Sequence, residues 1–231
     1  MGAILASLAF SLVVVSAAWF ACRRYAAAQA LAEEGARRLE GELHVVRRQM
    51  ESLGHEMPAE TRAGMLRYSE VGRCPLVMGR IDMAALARAV ADAALADYPR
   101  SRVVIGDLPP AWGDPSLMTL AWTHFIGNAL KYSSIAPAPR IEISARRNAH
   151  VEYRIRDNGI GFDMANRDKL FRLFHRLHRV DEYPGAGVGL AIAQLVVARH
   201  GGSVNAEGRT GEGAEFRFSL PLEPRAAVTS R

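Results

Sequence analysis

DNGIGF (residues 157–162) and GAGVGLAIAQLVVARH (residues 185–200) decide how this chain reads. The first closes an alternating run of apolar and polar residues. The second opens on Gly185, Gly187 and Gly189 and passes into an apolar stretch of helical length. Glycine tolerates positive φ and lets a backbone approach its neighbours closely. A glycine-rich turn at a helix N-terminus offers free N–H groups to an anion. A carboxylate beside such glycines, as Asp157 is, can accept from an exocyclic amine while the backbone leaves room for a flat ring. A third glycine turn, Gly211-Glu212-Gly213, precedes the last strand-like run. The two common nucleotide fingerprints are missing: GxxxxGK[ST] does not occur, and no GxGxxG follows a strand.

Around these turns the pattern is mixed. Asp114-Pro115 is a helix start, an N-cap followed by proline, and predicts a helix to about Tyr132. Arg140–Arg146 and His150–Arg156 alternate and flank Asn148-Ala149, which predicts a hairpin. Further helices are expected over Ala59–Val71, over Met83–Asp97 behind a capping Asp82, and over Gly189–His200. Short strands are expected at Arg102–Ile105, Ser203–Ala206 and Glu215–Leu220. Interleaved strands, helices and a hairpin make an α/β domain without internal repeats.

Composition narrows the function classes. The 231 residues are 49% hydrophobic and carry a net charge of +5, which excludes a disordered chain. No Lys/Arg block exceeds two residues, so nucleic acid is not implied. Cys22 and Cys74 are too few for a disulfide framework. Only two of the 29 basic residues are lysines, Lys131 and Lys169.

Residues 3–22 carry no charge, and at about 1.5 Å per residue a helix of that length spans roughly 30 Å, a bilayer core. Arg23 and Arg24 follow it, so the expectation is a single-pass anchor (residues 1–22) in the inner, cytoplasmic membrane with the rest of the chain in the cytoplasm. A cleaved signal peptide and a buried helix are the rival readings. From Ala32 the apolar residues step by four and three through Ala36, Leu39, Leu43, Val46, Met50, Leu53 and Met57. That heptad predicts a coiled coil through residues 32–57, forming a homodimer or a heterodimer; one amphipathic helix packing on its own domain is the alternative.

In this order, and after HFIGNALKYS (residues 124–133), the glycine turns are specific: residues 112–221 resemble the catalytic ATP-binding domain of sensor histidine kinases. This domain belongs to the GHKL superfamily shared with gyrase, Hsp90 and the mismatch-repair ATPases. The run LFRLFHRLHRVDEYPGAGVGLAIAQLVVARHGG (residues 170–202) is similar to phytochrome-like kinases. The resemblance implies a two-layer α/β sandwich over residues 81–222, behind a connector and truncated dimerisation hairpin over residues 23–80 and before a disordered tail at 223–231. It implies ATP and Mg²⁺ as ligands, with Asn128 on the metal, Lys131 on the phosphates and Tyr132 against adenine. Asp157 would read the adenine amine, and Gly159 and Gly161 would shape the base pocket. Gly185, Gly187, Gly189 and Leu190 would wrap the phosphates, residues 163–188 would form a lid, and Arg176 is a candidate for the γ-phosphate. Capping for Asn128 or Asp157, core packing for Tyr132 and a solvated charge for Arg176 are the plainer alternatives. Phe171 and Phe174 read as core. The family usually has a second asparagine one turn before Asn128; here it is His124.

The phosphoacceptor is the point where the pattern departs. His55 followed by Glu56 matches the family's histidine and acidic neighbour, yet Pro58 comes three residues after His55 rather than five. Asp82 lies only 27 residues beyond His55 (82 − 55), too few for the usual two-helix hairpin. A solvated helix-end histidine is the rival reading of His55. The other histidines, among them His175 and His200, read as surface or loop residues. The resemblance implies a histidine kinase that passes phosphate to a response-regulator receiver domain. A non-catalytic ATP-binding regulator of a complete kinase, and a kinase acting on a protein serine, are the alternatives.

Overall fold

The computed structural model describes residues 59–147, 150–177 and 186–222. The expected anchor, the coiled coil, His55, Glu56, Gly185 and the tail lie outside these residues. The expectation of a single-pass membrane protein is corrected: among the described residues no helix is long and apolar enough to cross a membrane. The charge-free segment behind that expectation is not among them.

In chain order the elements are helix α1 (Ala59–Arg73), strand β1 (Gly79–Ile81), helix α2 (Met83–Leu95), strands β2 (Arg102–Ile105) and β3 (Ala111–Gly113), and helix α3 (Pro115–Ser133). Strands β4 (Arg140–Arg147) and β5 (His150–Asp157), a 3-10 turn (Met164–Lys169), helix α4 (Gly189–Arg199) and strands β6 (Ser203–Arg209) and β7 (Gly213–Pro221) follow. The main sheet runs β2-β4-β5-β7-β6. Among the described residues only β2 and β4 pair in parallel; the expected β4–β5 hairpin is antiparallel, with Ile143 opposite Ile155.

Alternation along β5 and β7 explains the two layers. Val151, Tyr153, Ile155, Phe216, Phe218 and Leu220 turn to one face and are buried. The other face carries Arg154 paired with Glu152 at 2.7 Å, and Arg217 paired with Glu207 at 2.6 Å. Helix α3 covers the apolar face with Trp122, Phe125, Ile126 and Leu130, all fully buried. Phe218 stacks on Phe125 (centroids 5.3 Å apart) and meets Trp122 edge-on at 5.0 Å. Such pairs add about 0.5–1.5 kcal/mol each to the area they bury. Helix α4 completes the helical layer through Ile192, Leu195 and Val196.

A second, two-stranded sheet of β1 and β3 was not legible in the sequence, because three residues are too few to show alternation. It brings the chain leaving α1 back beside the start of α3. Asp114 fixes that start: its carboxylate accepts from Ser116 and Leu117, and also from the Val77 amide at 2.8 Å. Its own N–H donates to His200 Nε2 at 2.9 Å, while His200 Nδ1 lies 2.7 Å from the Val196 carbonyl. His200, expected at the surface, is therefore a buried joint between α3 and α4, only 4% exposed. Burial lowers its pKa from the usual imidazole range.

Candidate functional site

One cavity of about 270 Å³ lies between α3, the end of β5, the segment after the 3-10 turn and the N-terminus of α4. Asn128, Lys131 and Tyr132 reach it from α3, with His124 one turn earlier. Asp157 and Gly161 enter from the end of β5, Arg176 and His175 from the loop, and Gly187, Gly189 and Leu190 from the start of α4. Residues spread over 67 positions (124 to 190) thus converge as the sequence motifs require. Gly159 does not line the cavity; it is buried, and a Cβ there would strike the Tyr132 carbonyl, so its part is to bring β5 against the end of α3. A second concavity of about 510 Å³ opens among Glu207, Arg209, Glu212 and Glu215, without a helix N-terminus or Asn128.

Asp157 is buried, 4% exposed, and lines both concavities. Burial pushes its carboxyl up to about 6, against the pull of the Gly159 and Ala214 amides. Gly159 N–H donates to Oδ1 at 2.9 Å, which fixes the carboxyl and leaves acceptor capacity for a ligand. Gly161 has φ +61°, and a side chain there would collide with the Arg209 carbonyl. The Gly211 N–H closes the same turn on the Ile160 carbonyl at 2.7 Å, so the first and third glycine turns support one another.

Two cations, Lys131 and Arg176, also line the cavity. Lys131 Nζ lies 5.1 Å from the Tyr132 ring centroid. Burial and then the Arg176 charge push its pKa down, which places two cations near one another. Gly187 (φ +71°) accepts from the Phe174 amide at 2.9 Å, and a Cβ on it would touch the Arg176 side chain. Val188 caps α4 without a side-chain hydrogen bond, so the first amides of the helix stay available at the cavity. Phe171 packs edge-on to Phe216 at 6.5 Å, in keeping with a core role; Phe174 is half-buried with φ +58°.

His124 adds a feature that the sequence left open. Its Nε2 is buried and has no hydrogen-bond partner. Burial, reinforced by the Arg67 charge, lowers the imidazole to about 4, so it is neutral at pH 7. With the Asn128 amide one turn away, the cavity offers an oxygen donor and an unsatisfied nitrogen beside two cations. That set fits a divalent cation held together with phosphates better than it fits an apolar ligand.

The fold and the cavity define a nucleotide-binding ATPase-type α/β sandwich. Residues 113–224 match the family described as histidine kinase-, DNA gyrase B- and HSP90-like ATPases. The match covers just under half of the chain. Among curated relatives, cyanobacterial phytochrome A of Nostoc sp. is 42% identical over 114 residues, 49% of this chain and 15% of the phytochrome. The sensor protein kinase WalK of Staphylococcus haemolyticus is 36% identical over 115 residues, 48% of this chain and 19% of the kinase. The chain therefore spans less than a fifth of the length of those two relatives. Among solved structures, the mycobacterial sensor histidine kinase MprB aligns with a TM-score of 0.57 at 26% identity, covering 64% of this chain and 99% of that one.

Proposed function

We propose that this chain is an ATP-dependent protein histidine kinase of a two-component system. The observation that carries the reading is the single cavity that joins a buried carboxyl, an asparagine, two cations and a helix N-terminus. In it Asp157 accepts from the adenine amine and Tyr132 lies against the base. Lys131 and Arg176 hold the phosphates with the amides of Gly187 and Gly189, and Leu190 closes the wall behind them. Gly185 belongs to the same turn by sequence. Asn128 would hold Mg²⁺ through its amide oxygen, and the ion would supply charge neutralisation to the phosphates.

His55 is the proposed acceptor, with Glu56 as the base that draws its ring proton. The imidazole nitrogen attacks the γ-phosphorus in line, the bond from phosphorus to the bridging oxygen breaks, and ADP leaves. A receiver-domain aspartate of a response regulator then takes the phosphoryl group and the imidazole is restored. The protein contributes positioning and charge more than covalent help. Dimerisation through residues 32–57 would bring the acceptor of one chain to the cavity of another.

A second reading is a non-catalytic ATP-binding regulator of a complete kinase. It draws on the sequence, in which Asp82 comes only 27 residues after His55, too few for a two-helix hairpin ahead of the ATPase part. Incubation of the full chain with γ-labelled ATP separates the two. The kinase reading predicts acid-labile, base-stable label that disappears in His55→Gln. ATP binding without label supports the regulator instead.

A further inference from the structure

Helix α1 precedes the family match, which begins at residue 113, yet it lies against one end of the cavity. Gly64 is buried, and a Cβ on it would sit 2.7 Å from a Val188 methyl, so only glycine lets α1 come this near. Val188 and Gly189 line the cavity, and a Cβ on Gly189 would sit 2.9 Å from His124 Nδ1. Three residues on from Gly64, on the same side of α1, stands Arg67. It is solvent-exposed, and its charge acts on His124. Arg199 anchors the C-terminal end of α1 by donating to the Val71 and Cys74 carbonyls, so the helix meets α4 at two points.

Helix α3 orders the cavity along its length. Tyr132, Asn128 and His124 recur turn by turn, and at about 1.5 Å per residue Tyr132 and His124 stand roughly 12 Å apart. Asp157 and Tyr132 mark the base end. The His124 end, where α1 docks, is left for the outermost phosphate. We infer that Arg67, carried by α1 from outside the ATPase part, binds the terminal phosphate of the nucleoside triphosphate and completes the cation set of Lys131 and Arg176. The inference rests on the cavity being a nucleotide site and adds a consequence: docking of α1 and binding of the triphosphate favour one another. Reciprocity of this kind is required of any two linked equilibria.

Calorimetric titration of the full chain with ATP and with ADP, both with Mg²⁺, tests it. Loss of a charge-assisted hydrogen bond in Arg67→Ala should weaken ATP binding about tenfold and leave ADP within about twofold. ADP binding in the same variant reports that it is folded. Arg67→Lys keeps the charge and should retain most of the preference for ATP. Gly64→Val lifts α1 from Val188 and should reproduce the ATP-selective loss with Arg67 intact. Equal weakening of ATP and ADP in Arg67→Ala, or no change in either, overturns the inference. Unchanged ATP affinity in Gly64→Val overturns the docking on which it stands. Wild-type chain that binds neither nucleotide overturns the site reading itself, before any variant is made.

Discussion

Asp157 shows how one residue serves binding at a cost to stability. Burial raises its carboxyl from the ordinary carboxylate range to about 6. A raised carboxyl means that the folded state holds the proton more tightly than the unfolded state. The penalty for the buried charge is therefore full above pH 6 and fades as pH falls toward 4. Asp157→Asn should stabilise the unliganded protein at pH 8 by up to about 3 kcal/mol, and the gain should shrink below pH 6, as urea unfolding at the two pH values would measure. The same substitution removes a charged acceptor from the base end, so nucleotide binding should weaken while stability rises. Lost affinity with no gain in stability would mean that the carboxyl is better solvated than its burial implies. This residue was legible from its place in DNGIGF; its burial was not, because burial depends on β7 and on the turn at Gly211–Gly213.

At the scale of elements, the joint between α3 and α4 sets the geometry of the cavity, since one helix brings Asn128 and the other brings its N-terminus. His200 and Asp114 make that joint. Burial alone would raise the Asp114 carboxyl, but the amides of Val77, Leu117 and Ser116 outweigh it and hold the group below its usual range. His200 is depressed, so the folded state prefers the neutral ring. Its contribution is full above the ordinary imidazole value of 6.5 and is lost as pH falls below that. Thermal unfolding should therefore show a loss of stability between pH 7.5 and pH 5.5 that His200→Gln largely removes. That variant should cost about 1–3 kcal/mol at pH 7.5, through the unsatisfied Asp114 amide. Asp114-Pro115 was readable in advance as a cap because the signal is local. The expectation of a surface or loop position for His200 fails for the opposite reason: its partner lies 86 residues away, and nothing near His200 in the sequence points to it.

For the whole molecule, the layered architecture followed from two periods, alternation in β4, β5 and β7 and helical spacing in α3 and α4. The small β1–β3 sheet and the docking of α1 did not, since both depend on contacts between distant short segments. The glycine turns were legible as a set, but their division of labour was not: Gly159 holds strand against helix, while Gly161, Gly187 and Gly189 border the cavity. The expected membrane location rested on residues outside the described part and has been set aside. What unites the rest is the claim that one cavity takes ATP with a divalent ion bound at Asn128. Calorimetry of the full chain with ATP, in Mg²⁺ and then in excess EDTA, tests that claim most directly. Saturable binding at one site per chain, weakened at least tenfold by EDTA and made insensitive to EDTA by Asn128→Ala, is the predicted result. Absence of saturable binding, or wild-type binding that EDTA leaves unchanged, would contradict it.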